Sequence, residues 1–314
     1  MDELPLLPNG QPMIPYGPDA TCTLELCPIE WSVLQYRPDL AANIIFLCLF
    51  FVLLVVHVVL GFRWRSWWFM GWVVCGNINE IIGYGGRIML YLNPFSFAGF
   101  MIQIICVGCG PVFYSAAIYV TMSKTVEALD PSLSRIKPNL YYIVFMACDT
   151  VALIFQAVGG GLSSSTSGES EAAVDLSLAG LVFQVFCMAV FGVLMGEYIY
   201  RYARAQGGAA AIGARLKLFL WALSAAVLLI LARCAYRVAE LRGGYRGGLV
   251  SNEPLFVTLD SVLVVLAAAA LAVGHPGLVF LPTYTGLKPP KGPAAAEEAG
   301  QKGEADSAIA LQDR

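Results

Sequence analysis

GNINEIIGYGGR, residues 76–87, places two asparagines, a glutamate, four glycines and an arginine inside an otherwise apolar stretch. Its reading decides the fold. Asn77, Glu80, Tyr84 and Arg87 recur at i, i+3, i+7 and i+10, which puts them on one stripe of a helix. Gly76, Gly83 and Gly86 leave room beside that stripe for a close neighbouring helix. Read as a helix of residues 67–90, the stretch is a membrane span with one polar face. Counted so, the chain has seven spans; six or eight are the alternative counts.

The rest of the chain supports a membrane setting. Of 314 residues, 58% are hydrophobic and 13% charged, with a mean hydropathy of +0.69. A soluble domain carries about 25% charge, so the deficit indicates a multi-span membrane protein. Apolar windows place the other spans at 42–60, 98–122, 140–162, 176–200, 216–238 and 255–280. None alternates as β-barrel strands do. The expected fold is all-α, a polytopic helical bundle of seven transmembrane helices. Residues 1–41 form a leading tail, 42–280 the bundle and 281–314 a Pro-, Gly-, Ala- and Glu-rich tail expected to be disordered.

Lysine and arginine set the orientation. Arg63 and Arg65, then Lys124, Arg135 and Lys137, then Arg201, Arg204, Arg215 and Lys217 follow spans one, three and five. The loops 91–97 and 163–175 hold no basic residue, and only Arg242 and Arg246 run against the trend. The rule that positive loops stay inside puts the amino terminus outside and the carboxyl terminus in the cytosol. In the leading tail six acids face Arg37 alone, which suits translocation. The first forty residues hold no continuous apolar core, so no cleavable signal peptide is expected.

Several chemistries lack their motifs. There is no G-x-x-x-x-G-K-[ST], no H-E-x-x-H and no G-x-S-x-G, and the histidines are His57 and His275 alone. No catalytic residues, cofactor or metal site is expected, and a net charge of −3 gives no sign of nucleic-acid binding. Seven of nine cysteines lie in apolar segments as small packing residues. Cys22 and Cys27 precede the first span, and a translocated tail would let them pair as a disulfide.

Ionisable groups inside a bilayer need a partner or a wet cavity, since each costs about 2.5–3.5 kcal/mol by insertion scales. Span four carries Asp149 and Gln156 on one face, with Gly159-Gly160-Gly161 expected to end the helix. Span six carries Arg233, Tyr236, Arg237 and Glu240 on one stripe, and span seven adds Asp260. Gln103 and Gln184 fall early in spans three and five. Two readings stand. In one, these groups glue helices together: Arg233 or Arg237 pairs with Glu240 or Asp260, and Arg87 snorkels outwards. In the other, Asn77, Glu80, Tyr84, Arg87, Gln103, Asp149, Gln156, Gln184, Arg233, Arg237, Glu240 and Asp260 line one outward-open polar cavity. Its four acids and three arginines would favour a cationic amine with an apolar tail.

The ordered motifs resemble a known family. Tyr36-Arg37-Pro38-Asp39 with Asn43, His57, Glu80-Ile81-Ile82-Gly83-Tyr84 with Arg87, Asn93-Pro94-Phe95 and Gln103 come first. Ala116-Ala117-Ile118-Tyr119, Asp149, Gln156, the glycine triplet and Gln184 follow. Arg233 with Tyr236-Arg237 and Glu240, then Glu253, Asp260 and His275-Pro276-Gly277 complete the set. In this order they resemble the fungal RTA1-like, or lipid-translocating exporter, family over roughly 36–281. Asp39 departs from the small residue expected after the proline.

The resemblance implies a multi-pass plasma-membrane protein that exports or translocates sphingoid bases and confers resistance to toxic amphiphiles; some members are associated with porphyrin transport. It carries no catalytic or substrate residues over to this chain. The leading expectation is thus a transporter whose partners are the bilayer and a membrane lipid or amphiphile. A receptor-like or regulatory seven-span protein shares the topology and is the alternative. Oligomeric state is left open.

Overall fold

The computed structural model describes residues 13–15, 17, 20–165, 171–208, 211–244 and 247–284. Among them there is no strand. The helices are α1 (Leu40–Trp64), α2 (Trp67–Leu92), α3 (Phe97–Leu129), α4 (Pro138–Ser165), α5 (Glu171–Ala205) and α6 (Ala214–Leu241). A last composite run holds α7 (Glu253–Phe256), a π-helical segment (Val257–Val262), α8 (Leu263–Val273) and α9 (Gly277–Tyr284). Six stretches are long and apolar enough to cross a membrane: α1, α3, α4, α5, α6 and Glu253–Phe280. The polar stripe keeps α2 out of that set, although its 26 residues form one unbroken helix.

Local chemistry explains the boundaries. Asp39 caps α1, its Oδ1 accepting from the Ala42 N–H at 2.7 Å. Arg65 takes a left-handed turn, φ 53°, and closes α1 two residues before α2 starts. Ser96 caps α3 through the Gly99 N–H at 3.2 Å. α3 stays helical through Pro111, whose missing N–H frees the Val107 carbonyl, and Arg233 Nη2 donates to that oxygen at 2.8 Å.

Packing runs around a ring, α1 to α2 to α3 to α4 to α5 to α6 to α8 and back to α1, with α3 also touching α6 across the middle. α3 is the most enclosed span, 56% of its apolar window being buried against 22% for α1. Glycines set the close approaches. A β-carbon at Gly86 would lie 2.9 Å from both Gln103 N and Gly99 O of α3, so the two backbones are in direct contact. The glycine triplet does not end α4 as expected, because the helix continues to Ser165. Gly159 instead lies against Ala173 O and Ser177 of α5, where any side chain would force the helices apart. The last apolar run, expected as a span over 255–280, is not one uniform helix. Its π turn rotates the helix face, and Asp260 ends fully buried. The chain then turns at Gly274-His275-Pro276 and is helical again to Tyr284, past the boundary drawn at 281; the remainder of that tail lies outside the described residues.

Candidate functional site

The polar groups form three storeys that run from the end of the bundle containing the start of α1 to just past its middle. The outermost is built on the segment before α1. Cys22 and Cys27 are joined in a disulfide with Cα atoms 5.6 Å apart. They bury against Phe95 in the α2–α3 loop, with Trp31 alongside. Further on, Arg37 donates from Nε to Tyr91 O at 2.8 Å and lies 3.9 Å over the Tyr91 ring. The Asp39 N–H donates to Glu253 Oε1 at 2.9 Å.

Glu253 Oε1 also accepts from Arg87 Nη2 at 2.9 Å. Arg87 does not snorkel. It is 1% exposed, donates from Nε to Asn43 Oδ1 at 2.6 Å and from Nη2 to Tyr36 Oη at 3.3 Å, and sits 4.2 Å over the Phe256 ring. Four acceptors or π faces from three parts of the chain hold it inside, which no lipid headgroup position offers in a fixed geometry. Burial raises the Tyr36 phenol above its usual 10.0, against the pull of the Arg87 charge.

The second storey is deeper. Arg233 donates from Nε to Asp260 Oδ1 at 2.6 Å and from Nη2 to Val107 O at 2.8 Å, with both ion-pair partners 1% exposed. Arg237, one turn further out on α6, pairs closely with Glu240. Glu80 faces the same region, and the charges acting on it are those of Asp260 and Arg233. Its Oε1 has no hydrogen-bond partner and rests on Gly110 of α3. Tyr84 stacks on Phe46 and Phe50 of α1, at 5.5 and 5.6 Å between ring centres.

The third storey is Asp149, whose Oδ2 accepts from Tyr119 Oη at 3.0 Å. Gln156 donates to Gln184 Oε1 at 3.0 Å between α4 and α5. Asn77 spends its amide on Val73 O of its own helix at 2.8 Å, and Gln103 keeps a buried, unpartnered Oε1.

The twelve side chains therefore do not share one wall. A cavity of about 330 Å³ lies between α3, α4, α5 and α6, walled by apolar groups such as Met101, Ile104, Leu153 and Leu181. Of the twelve, Gln156, Arg233 and Arg237 line it. A small void of about 30 Å³ touches Arg87, Gln103, Arg237 and Glu240. Each arginine is matched to one acid, Arg87 to Glu253, Arg233 to Asp260 and Arg237 to Glu240. Glu80 and Asp149 are left buried with no basic partner among the described residues.

Several of these partners escape a reading by composition. Glu253 lies just outside an apolar window that starts at 255, yet its place beside Pro254 at a helix start marks it as ordered. Tyr36 and Asn43 supply single contacts that only the three-dimensional arrangement assigns. At the other end of the bundle two histidines make neutral contacts, while Lys124 pairs with Glu127 and both Arg135 and Arg201 pair with Glu197 at the surface. His57 Nε2 lies 3.1 Å from Ala268 O, and His275 accepts the Gly277 N–H at Nδ1, so its Nε2 proton points to Ser66 Oγ at 3.1 Å. Among the described residues no cluster of His, Cys, Asp or Glu is placed to hold a metal ion.

An all-helical bundle with six helices long and apolar enough to cross a membrane, its buried ion pairs enclosed between them, defines the class: a multi-pass membrane protein. Residues 73–283 match the family model described as RTA1 like protein, and the chain belongs to that family. It is 30% identical over 279 residues to the sphingoid long-chain base transporter RSB1 of Saccharomyces cerevisiae, covering 77% of this chain and 73% of that one. It is 29% identical over 200 residues to protein RTM1 of the same yeast, covering 63% and 64% of the two chains. Protoporphyrin uptake protein 1, also from that yeast, is 27% identical over 200 residues, covering 63% and 66%. No solved structure matches.

Proposed function

We propose that this protein is a plasma-membrane translocator of a single-chain amphiphile with a cationic head, such as a sphingoid base or a toxic hydrophobic amine. The carrying observation is the cavity of about 330 Å³, apolar along α3, α4 and α5 and polar where Gln156, Arg233 and Arg237 meet it. Its volume falls at the small end of ligand pockets, about 300–1,000 Å³. Two buried carboxyl groups, Glu80 and Asp149, have no basic partner among the described residues, and either one, once ionised, favours a positive guest. The names of the relatives support a lipid-like substrate. In this reading α2 is the second of seven crossings, the amino terminus is outside, and the cavity belongs to the outer half.

The test is flux of a fluorescent sphingoid base in proteoliposomes containing this protein alone. A translocator moves the probe without a partner, whereas a receptor-like protein does not. Gly108 lines the cavity and a Cβ there would meet nothing within 4 Å, so Gly108→Leu extends a side chain into the void. Leucine is also the better helix former by about 0.5–1 kcal/mol. The variant is expected to fold and to lose most of the flux; undiminished flux would place the path elsewhere.

A further inference from the structure

Glu80 sits where an acid has no obvious structural use. Its carboxylate occupies the space that a β-carbon at Gly110 would take, and Oε1 has no hydrogen-bond partner. One turn back along α3 from Gly110, the Val107 carbonyl is held by Arg233 of α6, which also binds Asp260 of the π turn. Cys106 and Tyr114 of α3 pack against Gly83 and Gly76 of α2 on either side, and Tyr84 follows Glu80 by one turn. From α1 come only the Phe46 and Phe50 rings that stack on Tyr84. Arg233 is thus the one cation facing two carboxyl groups, and it is already held by Asp260 and Val107 O.

Two carboxyls and one guanidinium are neutral when one carboxyl keeps its proton. An extra buried charge with no partner is strongly disfavoured, so the resting cluster retains that proton. Arg233 also lines the large cavity, so the cluster and the void share a side chain. We infer that Glu80 is a proton-carrying group that exchanges one proton for one cationic amphiphile in the adjoining cavity. This deepens the transport reading above and rests on it.

On loading, the O–H bond of Glu80 breaks, its electron pair stays on the carboxylate and the proton leaves to water. The ammonium in the cavity supplies the compensating charge. Release of the amphiphile reverses both changes, and nothing is oxidised or reduced. A proton gradient across the bilayer thereby becomes a driving force for an amine moving the other way.

The test uses the purified full-length chain in detergent, weakly buffered, with a pH-indicator dye. The probe is a single-chain quaternary ammonium amphiphile, whose fixed charge can release no proton of its own. The wild type is expected to release one proton for each probe bound, and Glu80→Gln, which mimics the neutral acid in shape but cannot ionise, to bind the probe more weakly and without release. Binding by the wild type without release overturns the inference and leaves transport standing. Release undiminished in Glu80→Gln also overturns it. No binding at all overturns the transport reading beneath. Gly110→Ala gives a second handle, since it displaces the carboxylate without removing it. That variant is expected to shift the pH of half-maximal release, and an unchanged midpoint counts against Glu80.

Discussion

α1 and α2 are neighbours of almost equal length, 25 and 26 residues, and their sequences read in opposite ways. α1 is apolar nearly throughout, and little of it is covered by protein. α2 buries Gly76, Asn77, Glu80, Gly83, Tyr84, Gly86 and Arg87, and keeps Ile78 and Ile82 on its uncovered side. The difference shows what hydropathy measures in a helical bundle. It reports the face a helix gives to lipid, and a helix with neighbours on most sides can be polar where they meet. α2 is held by backbone contact with α3 and by the Arg87–Glu253 ion pair, while α1 is held by aromatic contacts and by single polar contacts at Asn43 and His57.

The largest test of this comparison is whether α2 crosses at all. Single cysteines at Arg63, in the last turn of α1 just before α2 starts, and at Leu92, where α2 ends, are expected to face opposite sides of the membrane. An impermeant thiol reagent on intact cells then labels Leu92→Cys, and reaches Arg63→Cys only after permeabilisation. Equal labelling of both before permeabilisation would make α2 a re-entrant element and remove the seven-crossing reading.

Next in size is Arg87→Leu. Breaking a buried pair costs about 3–5 kcal/mol when the orphaned charge stays buried. Glu253 keeps 19% exposure, so its orphaned charge is partly solvated and the lower end, about 3 kcal/mol, is expected. Thermal unfolding in detergent reads it. A change near zero would return Arg87 to the role of a snorkelling residue.

The helical architecture was legible because long apolar runs are strong, additive signals. The polar stripes were legible too, since a 3.6-residue period survives in sequence. What did not follow was pairing. The spacing left Arg233 free to choose Glu240 or Asp260, and that choice depends on the π turn, which has no sequence period of its own. The glycine triplet looked like a helix stop because glycine is a poor helix former in water. Inside the bundle its value is close approach, and Gly159 against Ala173 O shows the contact that outweighs propensity.

Glycine also supplies the next test. Gly86 faces α3 backbone on two sides, whereas a β-carbon at neighbouring Gly85 would meet nothing within 4 Å. Gly86→Ala is expected to cost about 1–3 kcal/mol by overpacking. Gly85→Ala is expected to gain up to about 1 kcal/mol from helix propensity. Equal effects at the two sites would mean that α2 and α3 are not in backbone contact. Comparable in size is the Cys22–Cys27 bridge, which joins residues five apart in the chain. Its reduction is expected to cost about 2 kcal/mol by loop entropy and to leave the helices folded. Alkylation of both thiols in unreduced protein would show that no bridge forms.

The smallest effects belong to the outer face of α1. Phe51 and Val52 are 55% and 57% uncovered by protein, while adjacent Phe50 is fully buried with its ring 5.6 Å from Tyr84. Phe50→Ala opens a hole between α1 and α2. Its cost is expected to fall below the about 3–5 kcal/mol typical of soluble cores, because lipid still solvates the ring when the helices part. Only lost packing remains. Phe51→Ala and Val52→Ala lose no protein contact of that kind, and each is expected to stay within about 0.5 kcal/mol of wild type. Thermal unfolding of the three variants, compared at equal protein concentration, separates the faces. If Phe51→Ala costs as much as Phe50→Ala, the outer face of α1 meets protein instead of lipid, and a concentration-dependent midpoint would identify a second copy of the chain as its cover.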